Sequence, residues 1–160
     1  MFSSCIEFDL CRYDGSKIPS PTVDHLKSFV DFIPVCPEIE IGLGIPRATL
    51  RIVQIEGVDH LIQPATGQDV TNDMASFATR FLDSLPPVDG FILKGGSPTS
   101  GTSNVKVYPS AEKSMEIERT TGFFAQEVLK RCSELPVEDE LRLINTRIRN
   151  HFLTSIFLSW

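Results

Sequence analysis

Val70, Met74, Phe77, Ala78, Phe81 and Leu85 recur three and four residues apart, which predicts one buried helical face that Pro86-Pro87 brings to an end. Asp69 or Thr71 is the candidate cap at its start. A second stripe, Val23, Leu26, Val30 and Ile33, follows Ser20-Pro21. A serine N-cap with proline in the first turn predicts a helix there, running to Pro34. Phe124, Val128 and Cys132 define a third helical face. Leu141, Ile144, Ile148 and Phe152 predict a C-terminal helix packed on a sheet.

Between these stripes the period changes. Leu50 and Ile52 alternate with Thr49 and Arg51, and Leu61-Ile62 follows Gly57, so a strand, a turn and a short second strand are expected. Phe91-Ile92-Leu93 is a short apolar run with Asp89-Gly90 before it and small residues after it, which reads as a buried parallel strand. The small-residue loop from Gly95 to Asn104 then leads into Val105-Lys106-Val107-Tyr108. Strands alternating with helices predict an α/β fold with a largely parallel sheet flanked by helices. In such sheets ligands gather at the carboxyl ends of the strands, near a topological switch point. Three segments therefore carry the expected chemistry: Ser4-Cys5, Val35-Cys36-Pro37-Glu38, and Ser97 to Gly101.

Composition narrows the class. A chain of 160 residues suits a single domain over 1–160, and 41% hydrophobic with 22% charged residues excludes disorder, collagen and coiled coil. Fifteen Lys and Arg against 21 Asp and Glu give a net charge of −6, a poor footprint for nonspecific contact with nucleic acid or an anionic membrane. No apolar run approaches the ~18–20 residues of a membrane span, and the start lacks a basic leader segment, so a cytoplasmic location is expected. The four cysteines, at 5, 11, 36 and 132, show no C-x-x-C pairing. A structural zinc site and a disulfide framework are both unsupported.

Several side chains have two readings. Cys5 and Cys36 are either thiolates able to ligate iron or zinc, or to act as a nucleophile, or they are buried, inert thiols. Cys132 reads as core, and Cys11 precedes an apparent turn at Arg12-Tyr13-Asp14-Gly15. Glu38 is either a proton-transfer group held beside Cys36 or a solvated acid. Arg47 and Lys94 offer positive charge, with salt bridges as the plainer account. The Ser/Gly loop could cradle an oxyanion, but Lys94 precedes its glycines, so it is not a Walker motif. His25, His60 and His151 form no known catalytic pattern.

Read in order, nine segments resemble the domain-of-unknown-function family 523, whose best-understood relatives are thiouracil desulfurases. They are Ser3-Ser4-Cys5, Arg12-Tyr13-Asp14-Gly15 with Lys17, Val35-Cys36-Pro37-Glu38, Gly42-Leu43-Gly44-Ile45-Pro46-Arg47, and Gly67-Gln68-Asp69-Val70-Thr71, followed by Gly90-Phe91-Ile92-Leu93-Lys94, Ser97-Pro98-Thr99-Ser100-Gly101, Val105-Lys106-Val107-Tyr108 and Leu135-Pro136-Val137-Glu138. The resemblance spans nearly the whole chain.

It implies a Rossmann-like α/β fold and a [4Fe-4S] cluster on three cysteines, with one iron left open to the sulfur of a thiolated base. Two ligands carry over to Cys5 and Cys36. The third cysteine of the family falls at Ser100, where relatives read Ser-Pro-Ser-Cys-Gly, so Ser100 or Cys11 would complete the set. Glu38 carries over as the proton-transfer group activating water toward the ring carbon, and Ser97 as the group orienting substrate or water. The expected activity is an iron–sulfur-dependent desulfidase acting on a thiolated pyrimidine of the thiouracil or thiouridine type. The alternative is a cluster-free homologue that binds a base or nucleotide without catalysis. Relatives usually have an apolar strand before the Ser-Cys pair, so a clipped first strand is expected, and some carry a further C-terminal domain and resemble enzymes acting on transfer RNA. With the net charge of −6, a small base or nucleoside is expected over transfer RNA.

Overall fold

The computed structural model describes residues 1–158; Ser159 and Trp160, the end of the span expected to form one domain, lie outside the described residues. Four short strands form a wholly parallel sheet in the order β2 (Pro34–Val35), β1 (Phe2–Ser3), β6 (Phe91–Leu93) and β9 (Val137–Asp139). A second sheet runs β5 (Gln68–Asp69), β4 (Val58–Gln63), β3 (Arg51–Ile55), β7 (Val105–Tyr108) and β8 (Glu118–Thr120). In it only the β3–β7 pair is parallel. Among the described residues five α-helices accompany the sheets: α1 (Pro21–Leu26), α2 (Pro37–Glu40), α3 (Thr71–Ser84), α4 (Phe123–Arg131) and α5 (Thr146–Phe157).

The expected α/β fold with a parallel sheet flanked by helices is present. The mixed second sheet was not legible, because its edge strands β5 and β8 are exposed and polar and leave no hydrophobic period to read. The β3–β4 hairpin turns through Glu56 and Gly57, both at positive φ (51° and 78°), as a two-residue turn matched to the strand twist demands.

Alternation along β6 divides the core. Phe91 and Leu93 point into a cluster with Met1, Val35, Ile52, Leu61 and Val107 that α3 and α4 cover through Met74, Phe77, Phe124 and Val128. Ile92 points the other way with Phe2, against Val23 and Leu26 of α1 and Phe152 and Ile156 of α5. The parallel sheet is thus buried on both faces, which explains why β6 reads as a continuous apolar run.

Two helices differ from their sequence patterns. The α1 helix stops at Leu26, because Ile33 is needed in the sheet ladder, where its carbonyl accepts from the Phe2 N–H at 3.0 Å. Val30 and Ile33 accordingly pack into opposite clusters and never share a helical face. The α5 helix begins only at Thr146: the Asn145 side chain caps it by accepting from the Arg147 and Ile148 amides at 3.0 and 3.3 Å. Leu141 and Ile144 precede it and stay exposed, and the buried face is Phe152 and Ile156. Cys132, expected in the core, is the half-buried residue ending α4.

Candidate active site

The strand order reverses at β1, whose neighbours β2 and β6 lie far along the chain on either side, and this is where a crevice opens at the carboxyl ends of parallel strands. The loop leaving β1 carries Ser4 and Cys5. The loop leaving β2 carries Cys36, which caps the start of α2 and so sets Glu38 two residues into its first turn. The loop leaving β6 carries Lys94 and the segment from Ser97 to Gly101. The structure brings these three segments together around one cavity of about 240 Å³, whose lining includes Cys5, Cys11, Cys36, Glu38, Ser97 and Ser100. All five residues carried over by the resemblance reach it, and so does Cys11. His25, His60 and His151 are not among its lining residues.

The loop after β6 is anchored at the start of α4. The first amides of a helix have no partner inside it. Here those of Gly122, Phe123, Phe124 and Ala125 donate to the carbonyls of Gly101, Pro98 and Thr99 at 2.8 to 3.1 Å. Within the loop, Ser97 Oγ accepts from the Thr99 and Ser100 amides at 3.2 and 3.1 Å. Thr99, fully buried, connects the loop to α2: its hydroxyl lies 2.8 Å from Ser97 Oγ and donates to Glu38 Oε1 at 2.6 Å. Sequence reasoning missed Thr99. Its only signal was a hydroxyl residue between two candidates in the Ser97-Pro98-Thr99-Ser100 run.

Cys11, which precedes the Arg12-Tyr13-Asp14-Gly15 segment, is buried against the cavity. After β1 the chain loops out and returns beside Ile18, and the Cys11 thiol meets Ser4 Oγ at 3.1 Å. Arg47 ties this loop to the next one, donating to the Cys11 carbonyl at 3.0 Å and to Cys36 Sγ at 3.8 Å. Arg47 makes no carboxylate ion pair among the described residues, so its charge faces the thiols. Lys94 behaves as the plainer reading expected: its ammonium pairs with Glu140 Oε1 at 2.7 Å, while Glu140 Oε2 accepts from the Gly95 amide at 2.6 Å.

The thiols are electrically coupled. Hydrogen bonding to Cys11 pushes the Cys36 thiol pKa far above its ordinary value, helped by burial and by the Glu38 carboxylate, whose Oε2 lies 3.6 Å from Cys36 Sγ. For Cys11 the bond to Cys36 works downward, but the bond to Cys5 and burial outweigh it and the pKa rises. Both are therefore neutral thiols at neutral pH until a positive group displaces their protons.

Among the described residues no three His, Cys, Asp or Glu side chains form a ready-made site for a single metal ion. Three thiols instead share the wall of one cavity. Soft sulfur donors around an open space suit a polynuclear iron–sulfur group better than a closed tetrahedral ion site. The residues present fit such a group.

A thiol-walled cavity above the carboxyl ends of a parallel sheet, with a carboxylate and a serine hydroxyl on its wall joined behind it through a buried threonine, is the build of a cofactor-assisted enzyme site. The family described as 2-thiouracil desulfurase matches residues 1–140, and the chain belongs to that family. It is 31% identical over 109 residues to the uncharacterized protein YbbK of Bacillus subtilis (strain 168), covering 64% of this chain and 72% of that protein. Among solved structures, the [4Fe-4S]-dependent thiouracil desulfidase TudS is similar with a TM-score of 0.63 at 26% identity, covering 89% of this chain and 90% of that one.

Proposed function

We propose that the chain is an iron–sulfur-dependent desulfidase that replaces the sulfur of a small thiolated pyrimidine with oxygen from water, releasing sulfide. The observation that carries this reading is the convergence of Cys5, Cys11 and Cys36 with Glu38 and Ser97, which Thr99 joins from behind, on one cavity. Membership of the 2-thiouracil desulfurase family and the likeness to TudS support it. Cys5 and Cys36 would hold the cluster, with a third ligand from Ser100 or Cys11. When bound, a [4Fe-4S] cluster with three protein ligands supplies a Lewis-acidic iron for the sulfur of the base.

The remaining work falls to side chains. Glu38 takes a proton from the water that attacks the ring carbon, and Thr99 holds its Oε1 so that Oε2 stays on the cavity side near Cys36. Ser97, fixed by two amides, presents a hydroxyl that orients the base or the water. Arg47 offsets negative charge gathering at the sulfurs. A cavity of about 240 Å³ lies at the small end for ligand sites, which favours a free base or nucleoside, and the net charge of −6 disfavours a polyanion. No helix among the described residues is long and apolar enough to cross a membrane.

The test is anaerobic reconstitution with iron and sulfide, followed by incubation with 2-thiouracil and chromatography for uracil. Uracil and sulfide in equal amounts are expected, with Glu38→Ala losing at least about 100-fold in rate, in the range removal of a general base produces. A reconstituted protein that binds thiouracil and never releases uracil would establish the non-catalytic alternative.

A further inference from the structure

We infer that Cys11 is the third protein ligand of the iron–sulfur cluster and that Ser100, at the position where a cysteine is expected, is not a ligand. The inference rests on the desulfidase reading and adds to it the composition of the ligand set.

Placement is the first reason. Cys11 is 5% exposed, lines the same cavity as Cys5 and Cys36, and interacts with both thiols. Cys132, the remaining cysteine, is not among the cavity's lining residues and is no alternative. The loop holding Cys11 is fixed to the loop holding Cys36 through Arg47, which donates to the Cys11 carbonyl at 3.0 Å and to Cys36 Sγ at 3.8 Å, contacts that persist when the thiols lose their protons. A ligand held this way needs little further ordering when the group arrives.

Donor chemistry is the second reason. An alkoxide is a hard donor with a far more basic conjugate acid than a thiol, so iron in a sulfide-rich cluster selects thiolate when both are within reach. Each ligand must lose its proton on binding, and a thiol is by nature a far stronger acid than an aliphatic hydroxyl. Arg47, facing Cys36 with no carboxylate ion pair among the described residues, lowers the cost of collecting three thiolates on one wall. Ser100 is then left as a hydroxyl on the cavity wall, held through its amide by Ser97.

The experiment compares the unaltered chain with Cys11→Ala, Ser100→Ala and the Cys11→Ala/Ser100→Cys double variant. Each is reconstituted without oxygen and assayed for iron, acid-labile sulfide and absorption, then footprinted with iodoacetamide and mass spectrometry. The expected result is about four irons per chain in the unaltered protein and in Ser100→Ala, and less than about a tenth of that in Cys11→Ala. Loading should slow alkylation of Cys5, Cys11 and Cys36 at least tenfold while leaving Cys132 unchanged. The footprint is taken on the unaltered chain, so it does not depend on any variant folding, and recovery of iron in the double variant separates a lost ligand from a lost fold. Full loading of Cys11→Ala, loss of loading in Ser100→Ala, or alkylation of Cys11 at one rate with and without iron would overturn the inference while leaving the desulfidase reading in place. If no form takes up a cluster, a Ser100→Cys single variant included, the desulfidase reading falls and the ligand assignment with it.

Discussion

Thr99 donates its hydroxyl to Glu38 Oε1 at 2.6 Å across 61 positions of sequence, joining the loop after β6 to the helix after β2. With Ser97 2.8 Å beyond it, the contact places the two carried-over catalytic residues at the ends of one hydrogen-bonded chain. Thr99 is not among the residues lining the cavity, and its hydroxyl fixes the position of Glu38 Oε1.

Thr99→Val keeps the shape and removes the donor. A hydrogen bond to a charged group is worth about 1.5–3 kcal/mol, so kcat for thiouracil should fall about 10- to 100-fold. KM should stay within about a factor of two, since binding of the base does not use this contact. Steady-state kinetics on reconstituted protein read this directly. An equal rise in KM with kcat intact would assign Thr99 to substrate binding instead.

The Cys36 thiol gives a pH prediction with a definite sign. Its pKa is raised by hydrogen bonding to Cys11, by burial and by Glu38, so folding favours the protonated form. Stability from this group is complete below the ordinary thiol pKa of about 8.5 and is lost as pH rises above it. In the cluster-free protein, Cys36 should therefore alkylate at pH 8 at least about tenfold more slowly than in urea, because the thiolate is the reacting form. Glu38→Gln removes one of the upward causes and should speed the reaction. Peptide-resolved iodoacetamide kinetics from pH 7 to 10 would check both.

Gly122 is where the α4 helix meets the site loop. A Cβ there would stand 2.6 Å from the Thr99 carbonyl carbon and oxygen and 2.9 Å from the Gly101 amide nitrogen, all backbone atoms with little freedom to retreat. Gly122→Ala should destabilise the fold by about 1–3 kcal/mol, the usual cost of overpacking. It should also reduce activity beyond the stability loss, because the same loop carries Ser97 and Thr99. Urea melts beside kinetics at a temperature well below the transition separate the two effects, and an unchanged midpoint would contradict the packing argument.

Asp69 governs the acid side. Burial acts to raise its pKa, but hydrogen bonds from the Thr71 hydroxyl and amide at 2.6 and 2.9 Å, and from His60 at 2.8 Å, outweigh it and hold the carboxyl below its ordinary value. The stability it lends is present above the unfolded pKa of about 3.9 and lost as pH falls through the lower folded value. Urea midpoints should thus decline below about pH 4, and Asp69→Asn should flatten that decline. A variant with the parent's acid slope would remove Asp69 from the account.

The helix from Thr71 to Ser84 and the buried strand Phe91–Leu93 were legible because each follows a period set by its own backbone. The α1 and α5 boundaries were not: Ile33 is claimed by hydrogen bonding to Phe2, and Asn145 caps a helix that the apolar spacing had begun five residues too early. The three site loops could be named in advance because chemistry in parallel sheets collects at carboxyl ends, and Cys5, Cys36, Glu38, Ser97 and Ser100 all reach the cavity. Cys11 was a candidate only through the resemblance, and Thr99 was out of reach, since nothing in a hydroxyl-rich loop says which distant side chain it will face.

By itself the sequence determined the longest helix, which strand is buried on both faces and which residue types are available for sulfur and proton chemistry, since local period and side-chain chemistry are properties of neighbouring residues. Only the tertiary structure decided that Cys11 stands beside Cys36, 25 residues away, and that Thr99 holds Glu38 from 61 residues away. The order β2-β1-β6-β9 makes those meetings, because strand order sets which loops share a crevice and the spacing of residues along the chain does not.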